Sequence, residues 1–161
     1  MPHLRIEAPE EWLRDDFKAA TGFDVCKLLD HLVQVVTSLR MENPKGGDPA
    51  TVPFINLSNL KHAIVPVHYG HVAGDAAKRF LHITMAAGND TPGRTADMRK
   101  RVAQTLGDEA DKFIGKLPGL ASVTVHVKDI DRDRGYSTTA ERKKKREAES
   151  AAPEGSGKND R

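Results

Sequence analysis

Two apolar stripes, each set between segments of alternating hydrophobicity, constrain this chain more than any other feature. From Phe23 to Met41, the residues Val25, Leu28, Leu29, Leu32, Val35, Val36 and Leu39 recur at three- and four-residue steps, which lines one face of a helix. From Thr95 to Leu117, Met98, Val102, Leu106, Ala110, Phe113, Ile114 and Leu117 do the same. Ahead of the first stripe, HLRIEA from His3 to Ala8 alternates Leu4 and Ile6 with Arg5 and Glu7, the pattern of a half-buried strand. Behind it, LKHAIVPV from Leu60 to Val67 reads as a strand whose Pro66 confines it to a sheet edge or a bulge. RFLHITMAA from Arg79 to Ala87 precedes the second stripe, and SVTVHVKDI from Ser122 to Ile130 follows it. The order is strand, helix, strand, given twice.

A helix that crosses between two strands of one sheet makes that pair parallel, with a right-handed connection. The expected fold is therefore α/β in element order and α+β in layering: tandem β-α-β units forming a four-stranded sheet with two helices on one face. The other face is then short of cover. Apolar strand positions such as Leu4, Ile6, Val123 and Val125 are expected to face that uncovered side and to drive self-association.

At 161 residues the chain holds one core of normal size. Aromatic residues are 5%, so that core is mostly aliphatic. The segment from Asn43 to Pro53, NPKGGDPATVP, is dense enough in glycine and proline to be a loop. The domain is expected over residues 1–135 and a charged, disordered or partly helical tail over 136–161, since no apolar periodicity follows Tyr136. The net charge is +2, and from Arg132 onward there are nine basic and six acidic residues, so the basic excess sits in the tail. A body close to neutral gives no sign of a nucleic-acid or membrane surface. The chain opens MPHLRIEAPEEWLRDD, charged throughout, and its apolar runs fall far short of the ~18 residues of a membrane span. With the single Cys26, taken to lie on the apolar side of its helix, these features lead to the expectation of a cytoplasmic protein.

Pro2 is the residue with unusual chemistry. A small second residue lets methionine aminopeptidase remove Met1, and an N-terminal proline is a secondary amine able to act as a base, whereas a proline inside the chain is a neutral amide. The α-amino reference pKa of ~7.7–8.0 falls toward neutrality beside cations, where a proton shuttle works best. The plain alternative is an ordinary second residue. Among other groupings, His68 and His71 have a ligand-like spacing without a third ligand placed by a motif, so no metal is expected. Asp129, Asp131 and Asp133 imitate the start of a calcium loop, with the glycine and glutamate misplaced. His3, His82 and His126 fit as sheet histidines.

The opening MPHLRIEA, the doubled β-α-β pattern and the run FLHITMAAGNDTPGRT together resemble the tautomerase superfamily, and within it the 5-carboxymethyl-2-hydroxymuconate isomerase branch. The resemblance covers the first strand and roughly residues 78 to 130, while NPKGGDPATVPFINLSN is longer than the family's connection. It implies a cofactor-free isomerase of aromatic catabolism that moves a proton on an unsaturated enol or keto acid, assembled as a homotrimer. It carries Pro2 over as the catalytic base and then acid, and Arg94, after the glycine turn, as a carboxylate ligand aided by the helix N-terminus. Where the family has a second arginine, this chain has Lys61, which keeps the charge but loses the planar fork. Lys61 is either a second substrate ligand or a plain strand-edge lysine. Relatives on the scaffold that hydrate or dehalogenate unsaturated acids use the same proline. The rival from another class is a non-catalytic oligomer whose basic tail binds an anionic partner. Nucleic acid is disfavoured, because the single run RKKKRE neutralises few phosphates. Truncation after Gly135 is expected to leave the melting temperature and enol-acid turnover nearly unchanged; a large fall in either would show that the tail packs on the core or closes the site.

Overall fold

A computed structural model of the chain describes residues 2–43, 45–47, 50–68, 79–88, 94–115, 117 and 120–130. The tail, His71, Asp131 and Asp133 lie outside the described residues. Strand β1 (His3–Pro9) leads through a 3-10 turn (Glu10–Leu13) and a short helix α1 (Asp15–Thr21) to helix α2 (Val25–Ser38). A two-stranded ribbon follows, β2 (Arg40–Glu42) antiparallel to β3 (Thr51–Pro53). Then come β4 (Lys61–Val67), β5 (Arg79–Gly88), helix α3 (Ala96–Ile114) and β6 (Leu120–Ile130).

The main sheet has the order β4-β1-β5-β6. Both β-α-β pairs, β1 with β4 and β5 with β6, are parallel, and the two units meet at an antiparallel β1–β5 junction. Pro66 is tolerated because β4 is an edge strand. Asp24 caps α2, its carboxylate accepting the Cys26 backbone N–H at 2.9 Å, and Thr95 caps α3 by accepting the Met98 N–H at 3.2 Å.

The side of the sheet that carries the apolar residues differs from expectation. Leu4 and Ile6 are at most 1% exposed and lie under the helices with Leu81, Ile83 and Met85 of β5. Val123, Val125 and Val127 pack partly buried on the same core. The helical stripes need apolar partners, so the alternation turns these residues toward them. The register places Arg5, Glu7, His82, Thr84, Thr124 and His126 on the opposite face. That open face is largely polar, with an Arg5–Glu7 ion pair at 2.9 Å. At its edge, partial burial first, and then the positive charges of the amino terminus and Lys61, hold the His3 pKa below the usual histidine value.

Three local readings also change. Cys26 is exposed, because it sits on the side of α2 away from the Val25–Leu28–Leu32 stripe. The polar stretch after Pro9 holds α1, over which Trp12 is buried, stacked on Phe17 at 5.9 Å and edge-on to Phe23 at 5.6 Å. The first stripe stops as a helix at Ser38, and Leu39 turns extended. Phe54 N–H donates to the Leu39 carbonyl at 2.8 Å, so main-chain pairing with the 51–54 segment replaces the last helical turn.

Gly107 lies inside α3, where a Cβ would meet Val125 Cγ2 at 3.6 Å, an ordinary contact. Gly107→Ala removes backbone freedom from the unfolded chain and adds this contact. It is expected to stabilise the protein by about 0.5–1 kcal/mol in urea denaturation; a loss would show that α3 has no room to approach β6.

Candidate functional site

The topology gathers one end of the sheet. Because β1 and β5 are antiparallel, with His3 opposite Ala86, the start of β1 lies beside the end of β5. Because β4 is parallel to β1, with Lys61 opposite His3, the segment entering β4 arrives at the same end. Pro2 is anchored there, its carbonyl accepting the Lys61 backbone N–H at 3.1 Å.

Arg94, one residue before the α3 cap, ties three elements together. Its Nη1 donates to the Gly88 carbonyl at 2.9 Å and its Nη2 to the Phe54 carbonyl at 3.0 Å. The guanidinium carbon stands 5.2 Å from the centre of the Phe54 ring, within cation–π range. The Arg94 carbonyl in turn accepts from Arg99 at 2.7 Å. The side chain expected to hold a ligand therefore also holds the end of β5 and the entry to β4.

Pro2 and Arg94 line one cleft of about 520 Å³. Its remaining wall comes from the ribbon and the segment after it: Met41, Val52, Pro53, Phe54 and Ile55 are apolar, and Asn43, Lys45, Asn56 and Asn59 are polar. Among the described lining residues there are two cations and neither aspartate nor glutamate.

Lys61 is not among the residues lining the cleft. It is exposed and pairs with His3, one position along from Pro2, and successive strand residues point to opposite faces. Its described link to Pro2 is through the main chain. Lys45, Asn43, Asn56 and Asn59 were not singled out by the sequence. The available signal was a connection longer than the family's, rich in amides and carrying one lysine before two glycines. Elsewhere, His68 Nδ1 lies 2.6 Å from Glu10 Oε2 and Asp129 is 3.3 Å from Arg99. Among the described residues no three histidine, cysteine or acidic side chains are grouped as a metal site.

No protein-family model and no curated protein sequence matches the chain. Solved structures do. A 5-carboxymethyl-2-hydroxymuconate delta-isomerase superposes with a TM-score of 0.61 at 16% identity, over 86% of this chain and 87% of that one. A 5-carboxymethyl-2-hydroxymuconate isomerase from Deinococcus radiodurans R1 gives 0.58 at 13% identity, over 85% and 88%. The chain has the tautomerase-superfamily fold. A further crystal structure with this fold, Pt0534 inactivated by 2-oxo-3-pentynoate, gives 0.52 at 16% identity, over 85% of this chain and 93% of that one. At these identities the tautomerase fold is the shared property.

In this chain Arg94 acts as a strut of the fold whatever it binds. Arg94→Ala is expected to cost about 1–3 kcal/mol in denaturant melts, since it removes two charge-assisted hydrogen bonds to carbonyls and the cation over Phe54. Arg94→Lys recovers only part, because a single ammonium does not reproduce the fork; a neutral Arg94→Ala would show that these contacts are not formed in solution.

Proposed function

We propose that this protein is a cofactor-independent isomerase that tautomerises a small unsaturated enol or keto acid, with Pro2 as the proton shuttle once Met1 has been removed. The observation that carries this reading is that Pro2 and Arg94 line a single cleft whose described lining residues include no acid. As a free secondary amine, Pro2 takes a proton from the hydroxyl or carbon of the bound acid and returns it to another carbon. Arg94, oriented by the Gly88 and Phe54 carbonyls, supplies positive charge for the substrate carboxylate and for the negative charge that develops along the enolate. The same charge disfavours protonated Pro2, which moves the amine toward neutrality and keeps it a base near pH 7. The apolar wall of Phe54, Ile55 and Val52 suits the unsaturated body of the acid.

Assembly belongs to the same reading. The described helices cover one side of the sheet, and this reading sets two further copies of a cytoplasmic homotrimer against the other side.

The neighbour's inactivator provides the direct test. Conjugate addition of a proline amine to the triple bond of 2-oxo-3-pentynoate forms one N–C bond and moves the amine proton to carbon, so the chain gains the whole mass of the reagent. Peptide mass spectrometry is expected to find the adduct on Pro2 of a chain lacking Met1. Pro2→Ala is expected to lower enol-acid turnover by about 10²–10⁴ without loss of folding. Retained Met1, or unchanged turnover in Pro2→Ala, would remove the basis of the isomerase reading.

A further inference from the structure

Arg94 enters the cleft from the position before the α3 cap. The helix's own ladder begins one residue later, where the Arg99 N–H donates to the Thr95 carbonyl at 3.1 Å, so the Arg94 carbonyl lies outside that ladder. A side chain holds it instead. Arg99 Nη1 donates to the Arg94 carbonyl at 2.7 Å and to Asp129 Oδ1 at 3.3 Å. A guanidinium Nη carries two N–H groups, so one nitrogen serves both acceptors. Asp129 stands on β6 opposite Ala87 of β5, one position from Gly88, whose carbonyl accepts from Arg94 Nη1. The contacts close a ring. Asp129 holds Arg99, Arg99 holds the main chain of Arg94, the Arg94 side chain holds Gly88, and the β5–β6 ladder joins Gly88 back to Asp129.

Resting on the reading of this cleft as an acid site served by Pro2 and Arg94, we propose that Arg99, oriented by Asp129, is a positioning residue for the proton transfer. Neither Arg99 nor Asp129 is among the described residues lining the cleft, so both act on a ligand through Arg94. Arg99 sets where the root of the Arg94 side chain stands, and with it the separation of the guanidinium from the Pro2 amine. A long side chain turns a small shift at its root into a larger one at its tip, and productive geometry tolerates only about 0.5 Å.

The test uses 2-oxo-3-pentynoate and its methyl ester, which offer the same triple bond to the Pro2 amine, while only the acid offers a carboxylate. Labelling of Pro2 in the full chain is followed by mass spectrometry over a range of reagent concentrations, which separates the half-saturating concentration from the limiting rate. Arg99→Met is expected to raise the half-saturating concentration of the acid about five- to tenfold, with the limiting rate changed less than about twofold and the ester unaffected. Arg99→Lys keeps a donor for the Arg94 carbonyl and is expected to recover part of the loss. Asp129→Asn removes only the support of Arg99, so its effect is smaller, and combining it with Arg99→Met adds nothing, because the two act in series. Asp129 is exposed near a strand end, so Asp129→Asn keeps the fold and carries the test should Arg99→Met lose it. An unchanged half-saturating concentration, equal losses on acid and ester, or additive effects in the pair overturn the positioning role. A wild type that forms no Pro2 adduct overturns the isomerase reading and this role with it; a labelled wild type with unresponsive variants overturns this role alone.

Discussion

The antiparallel pairing of β1 with β5 is the contact on which the rest of this structure depends. It joins two β-α-β units, each only two strands and one main helix, which are too small to hold a core separately. Leu4 faces Met85 and Ile6 faces Ile83 across this junction, and all four are at most 1% exposed. Full burial of side chains of this size is worth about 1.5–3 kcal/mol each, and here it is obtained only when the two halves meet. The same pairing decides where the cleft lies. Antiparallel strands put the beginning of one beside the end of the other, so Pro2 and the end of β5, where Gly88 accepts from Arg94, lie at one end of the sheet.

Around that edge the structure uses backbone carbonyls to position charge. Arg94 donates to Gly88 and Phe54, which fixes the guanidinium at the cleft wall and holds the segment entering β4 against the end of β5. The ribbon adds a second cation from a turn shaped by Asn43 and two left-handed glycines. In the reading proposed above, stability and ligand binding share Arg94, and substitutions there act on both.

The two faces of the sheet have separate tasks. One is apolar and closed by α2 and α3, with Val25, Leu28, Leu32, Val102 and Leu106 buried against it. The other carries Arg5, Glu7, His82 and His126 in register across three strands. Strand periodicity of two keeps these sets apart, since any slip by one residue would exchange them.

Much of this was legible in the chain itself. Three-and-four spacing named α2 and α3, alternation named β1, β5 and β6, and the doubled order required two parallel pairs, because these signals are local and each follows from the period of one element. Pro2 could be singled out as a candidate for the same reason, since the chemistry proposed for it depends on its own neighbour, Met1. Which face of the strands would be covered was not legible, for alternation marks two faces without saying which one meets a helix. Nor was the ribbon, because its three-residue strands form only by pairing Arg40–Glu42 with Thr51–Pro53 across a turn, and a short strand has no pattern until its partner is known. The cleft belongs to this second kind: Pro2, Lys45, Asn59 and Arg94 are scattered along the sequence, and they are neighbours only because an antiparallel junction between two parallel pairs brings one strand's start, another's end and an inserted ribbon to the same place.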